Sequence, residues 1–323
     1  MQKRLLTHAI ESGLRFLDRR QLPSGEIPVQ RWTAARCDPD PSVFPTALAA
    51  WSLSFAPEAD VIVQRALDFL EGEMDGHGLW RHWSRDHPLF RFIPPDLDDT
   101  AVASAALTRA GRSIPDNRDL LLANRNRRGL FRTWKLTRNE LRRPHALCWF
   151  FLSTSASPFD VDAVVNANVF WYLGWSEQTA AVPEQIGEIL RAGRESGCDK
   201  WYEKPVVVRY FFSRALAGTD SELLALIEQR SLAPQPLNAL EAALRSCTLL
   251  NCDRIPDVGP LLSAQLESGA WPRVGFYHGG RRRRIGGGFA PAHPASPWWG
   301  SEELTTLFCI EALARFRSSC PDI

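Results

Sequence analysis

The chain has 323 residues, 45% of them hydrophobic and 23% charged, enough apolar material for a packed core and too little net charge for long disorder. Its 38 basic and 37 acidic residues leave a net charge of +1, without the basic excess of a dedicated nucleic-acid binder. Twelve tryptophans against two methionines is the unusual figure.

In chain order, residues 3–20 read as an amphipathic helix. They have a basic start but no apolar signal-peptide segment, and no stretch reaches the ~18 apolar residues of a membrane helix. A cytoplasmic location is expected. The seven cysteines (37, 148, 198, 247, 252, 309 and 320) are scattered, with no CxxC, and are expected as buried thiols rather than disulfides or a zinc site.

A phrase then recurs: an amphipathic helix, a polar turn with glycine, and an apolar or aromatic residue. It ends at Gly25, Gly78, Gly129, Gly197 and Gly269, where a helix stop would favour a left-handed glycine. Amphipathic helices are predicted at 3–20, 60–74, 116–125, 180–195, 220–230 and 257–268. Between them lie segments apolar on nearly all faces, at 44–56, 98–111, 161–175, 206–216, 237–251 and 300–316, which must be buried on all faces. Six inner and six outer helices in alternation predict an all-α fold, an (α/α)6 double-ring toroid, with an open superhelix as the competing arrangement. Residues 1–323 are read as a single domain. All inner helices would run the same way, gathering their N-termini at one mouth.

At the start of one inner helix stands Asp96-Leu97-Asp98-Asp99-Thr100-Ala101, after two prolines. One aspartate suffices for an N-cap; three so close repel one another, so at least one holds its proton to higher pH. This run resembles the DxDDTA motif of the squalene–hopene cyclases and class II terpene cyclases. Gln265-x-x-x-Gly269-x-Trp271 resembles their QxxxGxW repeat, with degenerate copies ending Gly25-x-Ile27, Gly78-x-Trp80 and Gly129-x-Phe131. The resemblance implies an isomerase-type enzyme that protonates a linear isoprenoid and cyclises the resulting carbocation. Asp98 would be the general acid, held and polarised by Asp96 and Asp99. That superfamily usually carries two helical domains, whereas this chain has length for one, so a protein partner closing the cavity, or peripheral membrane contact, would be compatible with the reading.

Carbocations are stabilised by aromatic faces, and Trp51, Trp171, Tyr210 and Phe308 fall on inner helices, with Trp298 and Trp299 placed to roof the mouth. Asp162, Asn166 and Glu302 are candidate polar groups at that mouth. Arg281, Arg282, Arg283 and Arg284, between glycines, suit an anion and are the candidate diphosphate clamp. A diphosphate substrate would bring Mg2+; no other cofactor and no metal site is expected. The sequence leaves two other readings open: a carbohydrate-active α/α-barrel enzyme using Asp98 with Glu302 or Glu303, and a non-catalytic toroid that binds lipid or protein.

Overall fold

A computed structural model describes residues 2–233, 235–282 and 288–320. Helices α1 (Gln2–Arg20), α3 (Asp60–Glu73), α5 (Arg118–Leu122), α9 (Ala181–Arg191), α11 (Ser221–Leu232) and α13 (Gly259–Ser263) form the outer layer. Helices α2 (Val43–Leu53), α4 (Leu97–Arg109), α8 (Ala163–Leu173), α10 (Pro205–Leu216), α12 (Ala239–Asn251) and α14 (Glu302–Ser319) form the inner ring. Each inner helix packs on the next, and α14 returns to α2, closing the ring. The alternation of helices is the one expected, although α5 and α13 are single turns rather than the longer helices predicted there.

Four of the inner helices open on recognisable start signals. Asp96, Asn238 and Ser301 are N-caps whose side chains accept a main-chain N–H of the first turn, and Pro205 opens α10 at a position that needs no N–H. From α2, every residue except Trp51 is buried.

The glycine phrase is the ring's joint. Gln21 donates to the carbonyls of Gly25 and of Ile62 on the next outer helix, and Gln265 donates to those of Gly269 and of Ala9 on α1. Gly25 and Gly269 have φ of +92° and +90°, and a Cβ on either would lie 2.1 or 2.3 Å from a main-chain oxygen, so only glycine fits. At the fourth phrase Gly193, not Gly197, takes the left-handed conformation. Two residues beyond four of the five joints, the main-chain N–H bonds a polar side chain inside the next inner helix: Ile27 to Thr46, Trp80 to Thr100, Phe131 to Asn166 and Trp271 to Thr306. The indoles of Trp80 and Trp271 donate to Leu70 and Leu261 ten residues back.

Two features were not expected. Helices α6 (Arg138–Leu141) and α7 (Pro144–Ser153) are inserted between α5 and α8. A four-stranded antiparallel sheet, in the order β2 (Cys37–Pro39), β1 (Gln30–Trp32), β4 (Trp298–Gly300), β3 (Tyr277–His278), forms beside α2 and α14. Its strands of two or three residues are too short to show alternation. All seven cysteines are free; Cys247 and Cys309 are buried, but Cys37 and Cys148 are exposed, because they lie on the sheet edge and on the inserted helix. No described helix is long and apolar enough to cross a membrane.

Candidate active site at the N-terminal mouth

Residues from the starts of α2, α4 and α8 (Phe44, Asp98, Asp99, Val165) face one cavity, whereas Trp51, Arg109 and Trp171 at the far ends of those helices line a separate crevice. The inner helices therefore run parallel, with the aspartates at their common N-terminal mouth. The cavity holds about 130 Å3 and is walled by Trp83, Trp134, Trp201, Trp299, Tyr202 and Tyr277, with Phe150 of α7 over it.

The three aspartates of the motif are all buried, and their surroundings differ. Asp96 Oδ1 accepts the Asp98 main-chain N–H, capping α4. Asp98 accepts from Asn168 Nδ2 at 2.5 Å on one oxygen and from the Tyr202 hydroxyl at 2.8 Å on the other. Asp99 lies 3.8 Å from His82 Nδ1, and its Oδ1 has no hydrogen-bond partner among the described residues.

Burial pushes Asp98 up to about 7, with the Asp99 charge adding to it, against the Asn168 and Tyr202 hydrogen bonds and the Arg214 charge. Asp96 is raised well above the ordinary carboxylate range by burial and by the charges of Asp99 and Asp98. Burial depresses His82, but its contact with Asp99 and the charges of Asp40 and Asp98 outweigh this and raise it above the ordinary imidazole range. At Asp98, burial together with the Asp99 charge outweighs the positive end of the helix dipole, which would lower the pKa.

Beneath Asp98, Arg214 Nη2 donates to Asn168 Oδ1 at 2.6 Å, so the amide must present its NH2 to the carboxyl. The guanidinium lies 3.9 Å over the Trp171 ring. On the sheet side, Asp40 accepts from the indoles of Trp299 at 2.7 Å and Trp83 at 3.2 Å, and His87 stacks on Trp83 at 4.5 Å. Burial alone would raise Asp40, but bonds from His87 and Trp299 lower it, so a fixed carboxylate orients two rings of the cavity wall.

The other predicted residues divide. Trp299 lines the cavity, and Trp298 stands beside it, edge-on to His278 at 5.2 Å. Trp51 and Trp171 meet edge to face at the opposite mouth, 4.4 Å apart, because they sit near the C-terminal ends of α2 and α8. Tyr210 and Phe308 pack in the core, the Tyr210 hydroxyl donating to Glu311. Asn166 is the ring-joint residue equivalent to Thr100, and Asp162 accepts from Thr133, Trp201 and the Lys200 N–H. Glu302 does not line the cavity, and Glu303 pairs with Arg20 of α1. Arg281 is buried on the carbonyls of Ser196, Asp199 and Tyr202; Arg282 lines a crevice that meets the cavity at Thr154; Arg283 and Arg284 lie outside the described residues.

Sequence reasoning missed Tyr202, His82, Trp83, Trp134, Trp201 and Tyr277. A signal existed. Trp83, Trp134 and Trp201 stand five, five and four residues past the glycines Gly78, Gly129 and Gly197, so the phrase continues from the joint into the cavity wall.

No family model matches the sequence, and no curated protein matches it. Among solved structures, the fold is that of the type II terpene cyclase toroids. A variant of the type II terpene cyclase MstE from Scytonema, solved with its substrate geranylgeranyl dihydroxybenzoate, is 15% identical, with a TM-score of 0.73 over 98% of this chain and 99% of that one. The ent-copalyl diphosphate synthase from Streptomyces platensis is 18% identical, with a TM-score of 0.51 over 85% of this chain and 50% of that one. An unsaturated glucuronyl hydrolase specific for heparin is 13% identical, with a TM-score of 0.52 over 97% of both.

Proposed function

We propose that the chain, acting as one toroid domain, is a protonation-initiated terpene cyclase for a linear isoprenoid, with Asp98 as the general acid. The observation that carries this is a buried carboxyl, still protonated near neutral pH, on the wall of an aromatic cavity. Asn168 and Tyr202 each occupy one lone-pair direction of Asp98, leaving its proton the directions that remain. Their donation favours the carboxylate, which strengthens the acid at the moment of transfer. The aromatic wall then shields the carbocation from water and stabilises it by about 0.5–2 kcal/mol per well-placed ring.

Ligand sites of this kind usually hold ~300–1,000 Å3. The cavity is smaller, so a linear isoprenoid would fill it only with its walls moved apart. The glycosidase reading has less support, since neither Glu302 nor Glu303 faces Asp98 across the cavity. A Mg2+-diphosphate substrate has no support inside the cavity: no Lys or Arg is among its described lining residues, and no group of three or more metal-ligating side chains is assembled among the described residues.

The test is incubation with linear polyprenols, prenyl diphosphates, prenylated phenols and squalene, with cyclic products followed by mass spectrometry. A cyclic product that disappears in Asp98→Asn supports the reading. Absence of product from the whole panel, or full turnover in the variant, refutes it.

A further inference from the structure

One polar side chain of the cavity serves neither the acid nor the wall. His278, on β3, is fully buried and lines the cavity. Its Nδ1 accepts the Gly280 main-chain N–H at 3.2 Å, and its Nε2 has no hydrogen-bond partner among the described residues. A neutral imidazole whose Nδ1 accepts carries its proton on Nε2. The ring therefore offers a buried, unsatisfied N–H donor, which costs free energy until an acceptor arrives.

We infer that His278 reads an uncharged oxygen on the substrate, so that the linear isoprenoid bound here carries a hydroxyl, carbonyl or ether oxygen as its head rather than a diphosphate. The inference rests on the cavity being the isoprenoid site. Three observations support it. First, no Lys or Arg is among the described lining residues, while three aspartates are, so a diphosphate would enter with like charges and no partner. Second, two nearby basic groups are committed, Arg281 to three carbonyls and Lys200 to Asp160 and the Ser155 carbonyl, while Arg282 lies in the neighbouring crevice rather than in the cavity.

Third, His278 is unfit to act as a base. Burial and the Arg281 charge hold it down at about 4, so the ring stays neutral at working pH. Its only lone pair on nitrogen is turned to Gly280. A basic nitrogen facing a carbocation would quench it; a donor with no free lone pair does not. His278 is thus a specificity residue, separate from the proton chemistry at Asp98.

Quenching of the cavity tryptophans tests this with three probes of one chain length: farnesol, farnesene and farnesyl diphosphate. Farnesol is expected to bind about five- to tenfold tighter than farnesene, the effect of one satisfied buried hydrogen bond. In His278→Phe that ratio falls to near one while farnesene binding persists. In 15N-histidine-labelled wild type, the His278 Nε2–H resonance moves on addition of farnesol but not farnesene, a readout that needs no variant. Tightest binding of the diphosphate, a ratio that survives in His278→Phe, or an unmoved resonance overturns the inference. Asp98→Asn separates the two claims: it keeps the alcohol preference if His278 is the reader, whatever happens to turnover. A His278-dependent preference without any cyclic product would sink the cyclase alone.

Discussion

The two mouths of the toroid are built from the same six helices and hold opposite chemistry. At the N-terminal mouth, Asp96, Asp98 and Asp99 sit against the positive ends of the helix dipoles, among Trp83, Trp134, Trp201 and Trp299. At the C-terminal mouth, Arg109 lies 4.5 Å over Trp51, and Arg214 lies 3.9 Å over Trp171. Tryptophans serve both ends, but at one they wall an acid and at the other they stack on cations. Aromatic content therefore says little by itself; the position of a ring along its helix decides its use. Eight residues separate Val43 from Trp51, about 12 Å along the axis. That distance is enough to carry a ring from one mouth toward the other.

The sharpest way to break this comparison is at the acid. Asp98→Asn is expected to lower turnover by a factor on the order of 10^3 or more, since an amide has no proton to give. A variant with more than a tenth of wild-type turnover would remove the division of labour between the mouths. Next in size is Trp299→Leu, which deletes a cavity ring and frees the Asp40 carboxylate; an order-of-magnitude loss of turnover is expected, against little change in the pH profile.

The pH dependence sharpens the same contrast. As the proposed general acid, Asp98 would act while protonated, so turnover should hold below about pH 7 and fall tenfold per unit above it. Stability follows the same sign. A carboxyl raised from 3.8 to about 7 in the folded protein binds its proton more tightly there than in the unfolded chain. Its stabilising contribution is full below pH 3.8 and is lost as pH rises through 7. Asp98→Asn should accordingly gain in Tm relative to wild type as pH rises from about 4 to about 7, as measured by thermal unfolding. A Tm difference independent of pH would show that Asp98 is ionised throughout.

The fold was more legible in the sequence than the site. Buried helices announce themselves by being apolar all round, and the glycine joints fix their alternation, so inner and outer layers followed from composition and period. The aspartates were legible because three charges before a buried helix exceed any capping need. The rest of the site is assembled across the ring: Asp98 meets Asn168 70 residues away and Tyr202 104 residues away. Such pairings carry no local period. Asn166 shows the converse. A buried polar residue near the mouth suggests substrate contact, yet its amide accepts the Phe131 N–H as Thr100 accepts that of Trp80, which places it in the repeat's scaffold.

The smallest expected effect on activity lies at the other mouth, and it is the most discriminating. Trp51→Leu removes the ring under Arg109 and the edge contact with Trp171, interactions worth about 1–2 kcal/mol together. Stability should fall by about that amount in denaturant titrations. Turnover and farnesol binding should stay within twofold of wild type, because Trp51 lines the crevice with Arg109 and Trp171 and not the cavity with Asp98. One path between the mouths runs through Trp171, Arg214, Asn168 and Asp98, and Trp51 meets it at Trp171. If Trp51→Leu instead shifts the pH at which turnover falls, the change has travelled along that path. The C-terminal mouth would then be tuning the acid rather than only closing the barrel.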